Sequence, residues 1–164
     1  MKAWRMLVVA SLALGAAGCS KGPQQQARDT LMTQMGVPWA PGNFLEAAKN
    51  GKDNVVALFL EGGIDSETAD DAGRTALILA AQQDHPSTIK ILLARGADPN
   101  NSDKGGKTAL IWACQEDYGD AVLALLGKGA NVNAKANDGT TALSAATQHG
   151  DADLVKLLQA NGAK

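Results

Sequence analysis

Aromatic and basic residues are scarce in this chain. The 164 residues include two Phe, three Trp and one Tyr, so aromatic side chains make up 4% of the sequence. Proteins that bind single-stranded nucleic acid stack bases on such side chains, and duplex-binding proteins carry basic patches. The formal net charge is −2, and no stretch is rich in Lys or Arg. We therefore expect no nucleic-acid partner.

Residue types that carry out catalysis or bind metals are also few. The chain has two His and two Cys, and it contains neither a His-Glu-x-x-His motif nor a Gly-rich phosphate loop. A catalytic or metal site needs several such side chains that converge. Ser144 and His149 are close in sequence, but their five-residue separation is unfavourable for a hydrogen bond. The sequence thus predicts no catalytic residue, no metal site and no cofactor, and a protein that is not an enzyme.

The apolar segment at the N-terminus is too short to cross a membrane. Lys2 and Arg5 precede the apolar residues 6–17, which are interrupted only by Ser11 and Gly15. A membrane-spanning helix needs roughly 20 apolar residues. A positive region followed by a short apolar region and small residues is typical of a signal peptide, which we assign to residues 1–18.

The end of this segment, Ala16-Ala17-Gly18-Cys19, resembles the lipobox of bacterial lipoproteins, although those more often have Leu at the position of Ala16. The resemblance implies cleavage before Cys19, a lipid on its sulfur and attachment to the membrane. Ser20 after the cysteine, in place of Asp, resembles the signal for export to the outer membrane, which implies the periplasmic face of that membrane. The alternative is an ordinary secreted protein that is cut near Ala17 and has a free Cys19.

Residues 19–42 are expected to form the lipidated cysteine and a tether. The start of the segment is polar and lacks the apolar content to fold alone. Its later part is apolar enough to lie against the folded domain as a lid, and we expect Trp39 to pack there. A lipidated Cys19 leaves Cys114 without a disulfide partner, so we expect Cys114 to be a small buried residue. The lid residues are Leu31, Met32, Met35, Val37 and Trp39.

From residue 43 onward the chain repeats itself. The sequence Gly73-Arg74-Thr75-Ala76-Leu77 recurs as Gly106-Lys107-Thr108-Ala109-Leu110 and as Gly139-Thr140-Thr141-Ala142-Leu143, with a spacing of 33 residues both times. A Leu-Leu pair and the following glycine recur around Gly96, Gly129 and Gly162, and the pair lies one residue farther from the glycine in the last unit. Within each unit the apolar positions fall into two short runs at helical spacing, which predicts two helices.

This 33-residue period, with Thr-x-Leu, Ala-Ala and Leu-Leu-x-x-Gly-Ala-Asp/Asn, resembles the ankyrin repeat. The resemblance implies an all-α solenoid of stacked helix–turn–helix units with hairpin loops. One unit cannot bury its apolar face alone, but stacked neighbours bury a continuous core. The domain spans residues 43–164, and its four repeats lie at about 43–69, 70–102, 103–135 and 136–164.

Several single residues carry expectations within this array. Asn43 and Glu46 are spaced to cap the first helix, and Gly just past each second helix is suited to a left-handed conformation. His85 is at the position of a structural His in the family. Trp112 replaces Leu79 of the preceding repeat, so we expect core packing for it, with an interface role for Trp112 or Tyr118 as the alternative.

Ankyrin arrays usually bind proteins through their hairpin tips and the concave face of the first helices. The resemblance therefore implies a partner protein, and we expect the protein itself to be a monomer. The alternative for each such residue is an ordinary solvated turn. The positions on the hairpins are Asp71, Ala72, Arg74, Lys104, Gly105, Lys107, Asn137, Asp138 and Thr140. Those at the ends of the first helices are Lys49, Asn50, Gln82, Gln83, Gln115, Glu116, Gln148 and His149.

Two functions from different classes fit these observations. The first is an envelope-anchored interaction module that binds a partner, in its sharper form an inhibitor, immunity protein or protector of an envelope enzyme. The second is a structural scaffold that organises envelope components without inhibiting them. An affinity capture from envelope extracts would identify the partner, which is the largest unknown of both functions.

Overall fold

The computed structural model describes residues 22–164. The predicted signal peptide and lipidated Cys19 lie outside these residues. None of the helices from residue 22 onward is long and apolar enough to cross a membrane. The helices are α1 (Pro23–Asp29), which continues into a π-helical turn (Thr30–Gln34), α2 (Pro41–Lys49), α3 (Asp53–Glu61), α4 (Ala76–Ala81), α5 (Pro86–Ala94), α6 (Ala109–Gln115), α7 (Gly119–Leu126), α8 (Ala142–His149) and α9 (Ala152–Ala160).

The helices stack in two rows. The first row consists of α2, α4, α6 and α8, and each contacts the next. The second row runs from α1 through α3 and α5 to α7, while α9 packs on α8. Within residues 22–164 β pairing is limited to isolated bridges between hairpin arms. The all-α repeat solenoid predicted from the 33-residue period is therefore confirmed.

The core is built from residues at equivalent positions of the repeats. Phe59, Leu92, Leu125 and Leu158 are spaced 33 residues apart on the second helices, and all have 0% exposed surface. The first helices are rich in buried Ala, which lets neighbouring helices approach closely. Each of α4, α6 and α8 is preceded by a threonine N-cap. The threonine hydroxyl oxygen accepts a hydrogen bond from the backbone N–H of the residue three positions later. These caps are Thr75, Thr108 and Thr141.

The hairpins are joined to one another at their tips. The backbone N–H of Lys104 donates to the carbonyl of Ala72 at 2.9 Å, and Asn137 donates in the same way to Gly105 at 2.9 Å. Farther along each repeat, a side chain accepts a hydrogen bond from the backbone N–H 31 residues later. Buried apolar contacts and these hydrogen bonds therefore both connect adjacent repeats. The accepting side chains are Glu67, Asn100 and Asn133.

The segment predicted as a tether is ordered from Pro23. Helix α1 and the π-helical turn pack on α3, and Leu31 is fully buried there. The Arg28 Nε–H donates to the carbonyl of Gly62 at 2.9 Å. These contacts come from residues distant in sequence, so the polar start of the segment gives no sign of them. We call residues 22–40 the N-terminal cap.

Trp39 packs at this end of the solenoid, as predicted. Its ring lies 5.0 Å from the ring of Phe59, measured between centroids. The guanidinium carbon of Arg28 lies 4.7 Å from the Trp39 ring centroid, a distance typical of a cation–π contact. Leu31 and Trp39 thus cover the first repeat, whereas Met32 and Met35 of the predicted lid point into solvent.

The predicted helix cap at Asn43 and Glu46 is wrong. Helix α2 begins three residues earlier, with Ala40 instead of Asn43 as its N-cap and Pro41 in the first turn. Proline is favoured at this position because its fixed φ suits a helix and its missing N–H is not needed. The Asn43 side chain instead donates to the carbonyl of Pro38 at 2.9 Å, and this bond connects the N-terminal cap to α2.

Three further expectations are confirmed. Gly96, Gly129 and Gly162 have φ of 93°, 84° and 91°, in the left-handed region. His85 is the residue before α5, and its Nε2 lies 3.0 Å from the carbonyl oxygen of Lys49 in the preceding repeat, so its side chain has a structural contact. Cys114 is fully buried, and burial, followed by the nearby Asp117 carboxylate, raises the pKa of its thiol to about 12.

The close contact between hairpin tips makes Gly106 harder to replace than Gly129. Both have positive φ, which costs an L-residue about 1–2 kcal/mol. A Cβ at Gly106 would also lie 2.9 Å from the backbone nitrogen of Asn137, whereas nothing lies within 4 Å at Gly129. We expect Gly106→Ala to lower the free energy of unfolding by more than Gly129→Ala, measured by urea denaturation. Equal losses would contradict the contact.

Candidate binding surface

The hairpins and the first-row helices form one continuous face of the solenoid, which we call the inner surface. At its N-terminal end a surface pocket is lined by residues of α2, α4 and the hairpin between α3 and α4. Glu46 and Lys49 come from α2, Asp70 and Arg74 from the hairpin, and Leu79 from α4. The fold therefore brings side chains that are distant in sequence to a shared depression.

Asp70 holds the hairpin and Arg74 in place. Its Oδ1 accepts hydrogen bonds from the backbone N–H groups of Ala72 and Arg74, both at 2.9 Å. Its Oδ2 accepts from Arg74 Nε at 2.8 Å and lies 2.7 Å from Nη2. Burial raises the pKa of Asp70, but these bonds from Arg74 and Ala72 outweigh it, and the net result is a lowered pKa. Asp70 thus holds the Arg74 guanidinium in one position and offsets part of its positive charge.

Asp103 is the equivalent residue one repeat later, and it makes a different contact. Its Oδ1 again accepts from two backbone N–H groups of its hairpin, those of Gly105 at 2.9 Å and Lys107 at 3.0 Å. Its Oδ2 accepts from the indole Nε1–H of Trp112 at 2.9 Å. The hairpin carboxylate therefore sets the orientation of Trp112 on α6.

Lys107 lies over the Trp112 ring at the centre of the inner surface. Its Nζ is 4.7 Å from the ring centroid, donates to Gln115 Oε1 at 3.1 Å, and lies 4.0 Å from Asp138 Oδ2. The lysine side chain is 21% exposed, so it is held close to the protein. Lys107, Trp112, Gln115 and Asp138 form what we call the Lys107 cluster.

The third hairpin, between α7 and α8, lacks the carboxylate that accepts two backbone hydrogen bonds in the first two hairpins. The residue equivalent to Asp70 and Asp103 is Ala136, which is buried. Asp138 takes over part of the role, and its Oδ1 accepts from the Thr140 N–H at 2.8 Å. Hydrogen bonds from Thr140 lower the pKa of Asp138.

The remaining predicted binding residues lie around these groups. Gln82 is partly exposed at the end of α4, and Gln83 donates to the Gln82 carbonyl at 2.9 Å. Asn137 donates from its side chain to the carbonyl of Lys104 at 3.1 Å, so it serves hairpin stacking. The structure therefore brings Lys107, Gln115 and Asp138 together and places the others along the edges. Exposed at those edges are Lys104, Glu116, Gln148 and His149.

The inner surface carries charged side chains, hydrogen-bonding groups and one partly exposed aromatic ring. Within residues 22–164 no group of three or more His, Cys, Asp or Glu side chains is placed to hold a metal ion. The face carries both signs of charge, and the carboxylates of Asp70 and Asp103 are occupied by hairpin contacts.

Sequence comparison identifies the family. The family described as ankyrin repeats (3 copies) matches residues 44–136 and, in a second match, residues 104–164. The chain belongs to the ankyrin-repeat family. No curated protein matches it. Ankyrin repeats are protein–protein interaction modules, and this ankyrin-repeat protein is one.

The expectation that Trp112 packs in the core is met in part. The ankyrin repeat before it has Leu79 at this position, which is buried, whereas Trp112 is partly exposed and packs against the core cluster. The larger ring reaches outward to Asp103 and Lys107. Sequence reasoning missed Asp70 and Asp103, although their 33-residue spacing and the Asp-x-x-Gly pattern of both hairpins were visible.

The lowered pKa of Asp70 predicts a pH-dependent loss in Asp70→Asn. A carboxyl whose pKa falls on folding stabilises the fold above its unfolded pKa, and this contribution is lost as pH falls through the folded pKa. We expect Asp70→Asn to be less stable than wild type at pH 7, and the difference to shrink below about pH 3.9, the ordinary pKa of Asp. Thermal melts between pH 7 and pH 2 measure it. Asp71→Asn, at the exposed neighbour, is the control, and a difference independent of pH would contradict the prediction.

Proposed function

We propose that this ankyrin-repeat protein binds a partner protein through its inner surface while a lipid on Cys19 holds it in the cell envelope, on the periplasmic face of the outer membrane. The observation that carries the binding proposal is the Lys107 cluster. It holds a cation over an aromatic ring between two hairpins.

The residue types of the inner surface support this function. Trp and Arg are enriched among the few interface residues that dominate binding energy. Trp112 and Arg74 both lie on this face, and each is fixed by a hairpin carboxylate. Side chains that are already ordered lose less conformational entropy on binding. Mixed charges favour a partner that has a complementary polar surface.

The sharper proposal is an inhibitor, immunity or protector protein for an envelope partner. The inner surface is one face with one central cluster, which fits a single partner held at the membrane. A scaffold that organises several components is the alternative. Addition of the purified protein to its captured partner separates the two, since inhibition or protection changes the partner's activity and scaffolding does not.

Site-specific photo-crosslinking in the envelope tests the binding surface. A photo-reactive residue replaces Glu116, exposed after α6, in one variant and Leu123, exposed on α7 of the second row, in the other. We expect position 116 to capture a partner protein and position 123 to capture none. Equal capture of the same protein from both positions, or capture from position 123 alone, would overturn the proposal.

The proposed anchor predicts that Cys19→Ala releases the protein from the membrane. The lipid would be attached outside the folded residues 22–164, so circular dichroism of the released protein should match wild type. Membrane fractionation after a salt and carbonate wash measures the release. Cys114→Ala is the matched control and should stay in the membrane pellet. Retention of Cys19→Ala in that pellet would disprove the anchor.

A further inference from the structure

The N-terminal cap exposes two methionines within one turn. Three large hydrophobic side chains are exposed among residues 22–164, namely Met32 at 57%, Leu123 at 53% and Met35 at 43%. Met32 lies in the π-helical turn and Met35 is the residue after it, three positions later, whereas Leu123 is alone on α7. The cap therefore presents the more concentrated apolar surface.

This end of the molecule is also the one nearest to the proposed anchor, and the inference rests on that proposal. Helix α1 begins at Pro23, four residues after Cys19. A fully extended chain of four residues spans at most about 14 Å. A lipid on Cys19 would thus keep the start of α1 within that distance of the bilayer surface.

The distribution of charged side chains also favours the N-terminal cap as the end that faces the membrane. Among residues 22–45 only Arg28 and Asp29 are charged. Arg28 is engaged by Gly62 and Trp39, and Asp29 accepts from the Gln25 side chain at 3.0 Å. Residues 46–164 contain more acidic than basic side chains, so anionic phospholipids repel the body of the solenoid. The cap is the end that approaches such a surface at the lowest electrostatic cost.

We propose that Met32 and Met35 form a second membrane contact, in which both side chains enter the boundary between headgroups and acyl chains of a phospholipid bilayer. A lipid on Cys19 would hold the chain at one point only, whereas apolar side chains buried at the boundary between headgroups and acyl chains add binding energy and orient the folded residues. The cap then rests on the membrane, and the row of repeats extends away from it.

Lipid-dependent quenching tests this contact in the full-length lipidated protein. Met32→Cys and Met35→Cys are labelled with a polarity-sensitive fluorophore, and the proteins are reconstituted in vesicles of phosphatidylethanolamine and phosphatidylglycerol. Cys114 stays unlabelled because its thiol is buried and has a pKa of about 12. Leu123→Cys is the matched control, since its native side chain is equally exposed but lies on α7.

We expect vesicles to shift the emission at positions 32 and 35 to the blue, to allow quenching by spin-labelled lipid and to reduce quenching by aqueous iodide. Position 123 should show none of these changes. Vesicle-bound protein whose three labels behave alike would overturn the methionine contact and leave the anchor intact. A blue shift at positions 32 and 35 without vesicles, together with a dimer in sedimentation, would assign the surface to a second copy and overturn it too. Protein that fails to float with vesicles would disprove both proposals.

Discussion

Leu92→Ala is expected to lower the free energy of unfolding by about 2–5 kcal/mol, the range for a buried Leu that leaves a cavity. Leu92 has 0% exposed surface and lies on α5, which packs against α3, α4 and α7. The cavity would therefore open where two repeat interfaces meet. Because each repeat is stabilised mainly by its neighbours, the loss should spread to both sides of the second repeat.

Lys104→Ala is the matched comparison, because it changes an exposed hairpin tip in the next repeat. Its backbone bond to Ala72 does not involve the side chain and survives the substitution. Exposed positions of this kind usually change stability by less than about 0.5 kcal/mol. Urea denaturation followed by circular dichroism measures both variants. Equal midpoints would show that Leu92 does not support the interfaces in which the structure places it.

The repeated part of the fold was predictable because its information is local and occurs several times. The 33-residue period places Leu92, Leu125 and Leu158 at one position, and the structure buries all three. The glycine that follows each second helix needs a left-handed φ whatever the tertiary contacts are. Because the same pattern occurs several times, each position is predicted from several repeats, and a residue that departs from the pattern in one repeat does not change the assignment.

The N-terminal cap was not predictable in the same way, because tertiary contacts determine it. The sequence Pro-Gln-Gln-Gln has no apolar face, and isolated helices of this length are marginal in water. The burial of Leu31 against α3 and the hydrogen bond from Arg28 to the Gly62 carbonyl supply the missing stability. A short helix that is stabilised by a neighbour leaves little periodic signal in its own residues.

The candidate binding surface was predictable by position but not by contact. The family resemblance gives the hairpins and helix ends as the binding face, but it does not tell which side chains are free. Asn137 bonds to Lys104 and Asp70 to Arg74, so hairpin stability uses part of that surface. Trp112 depends on Asp103, nine residues earlier in sequence, and a substitution at either residue affects the other.

A variant with five alanine substitutions on the inner surface is expected to lose partner capture while it stays folded. The substitutions replace Arg74, Gln83, Lys107, Glu116 and His149. Circular dichroism should be unchanged and the melting temperature close to wild type, because these side chains are partly or fully exposed and none belongs to the core cluster. The ion pair of Arg74 with Asp70 is 40% exposed on the arginine side, and exposed pairs contribute at most about 1 kcal/mol.

Two of the five substitutions should account for most of the loss, since binding energy is concentrated in few residues, each worth roughly 2 kcal/mol or more. The structure favours Lys107 and Arg74, because both are held in place by neighbours and face the same surface. Single-alanine variants, measured for retention of the partner captured at position 116, identify them. Lys90→Ala with Lys156→Ala, on exposed positions of the second helices, is the control and should retain full capture. Capture that survives the five-site variant would show that the binding site lies outside the inner surface.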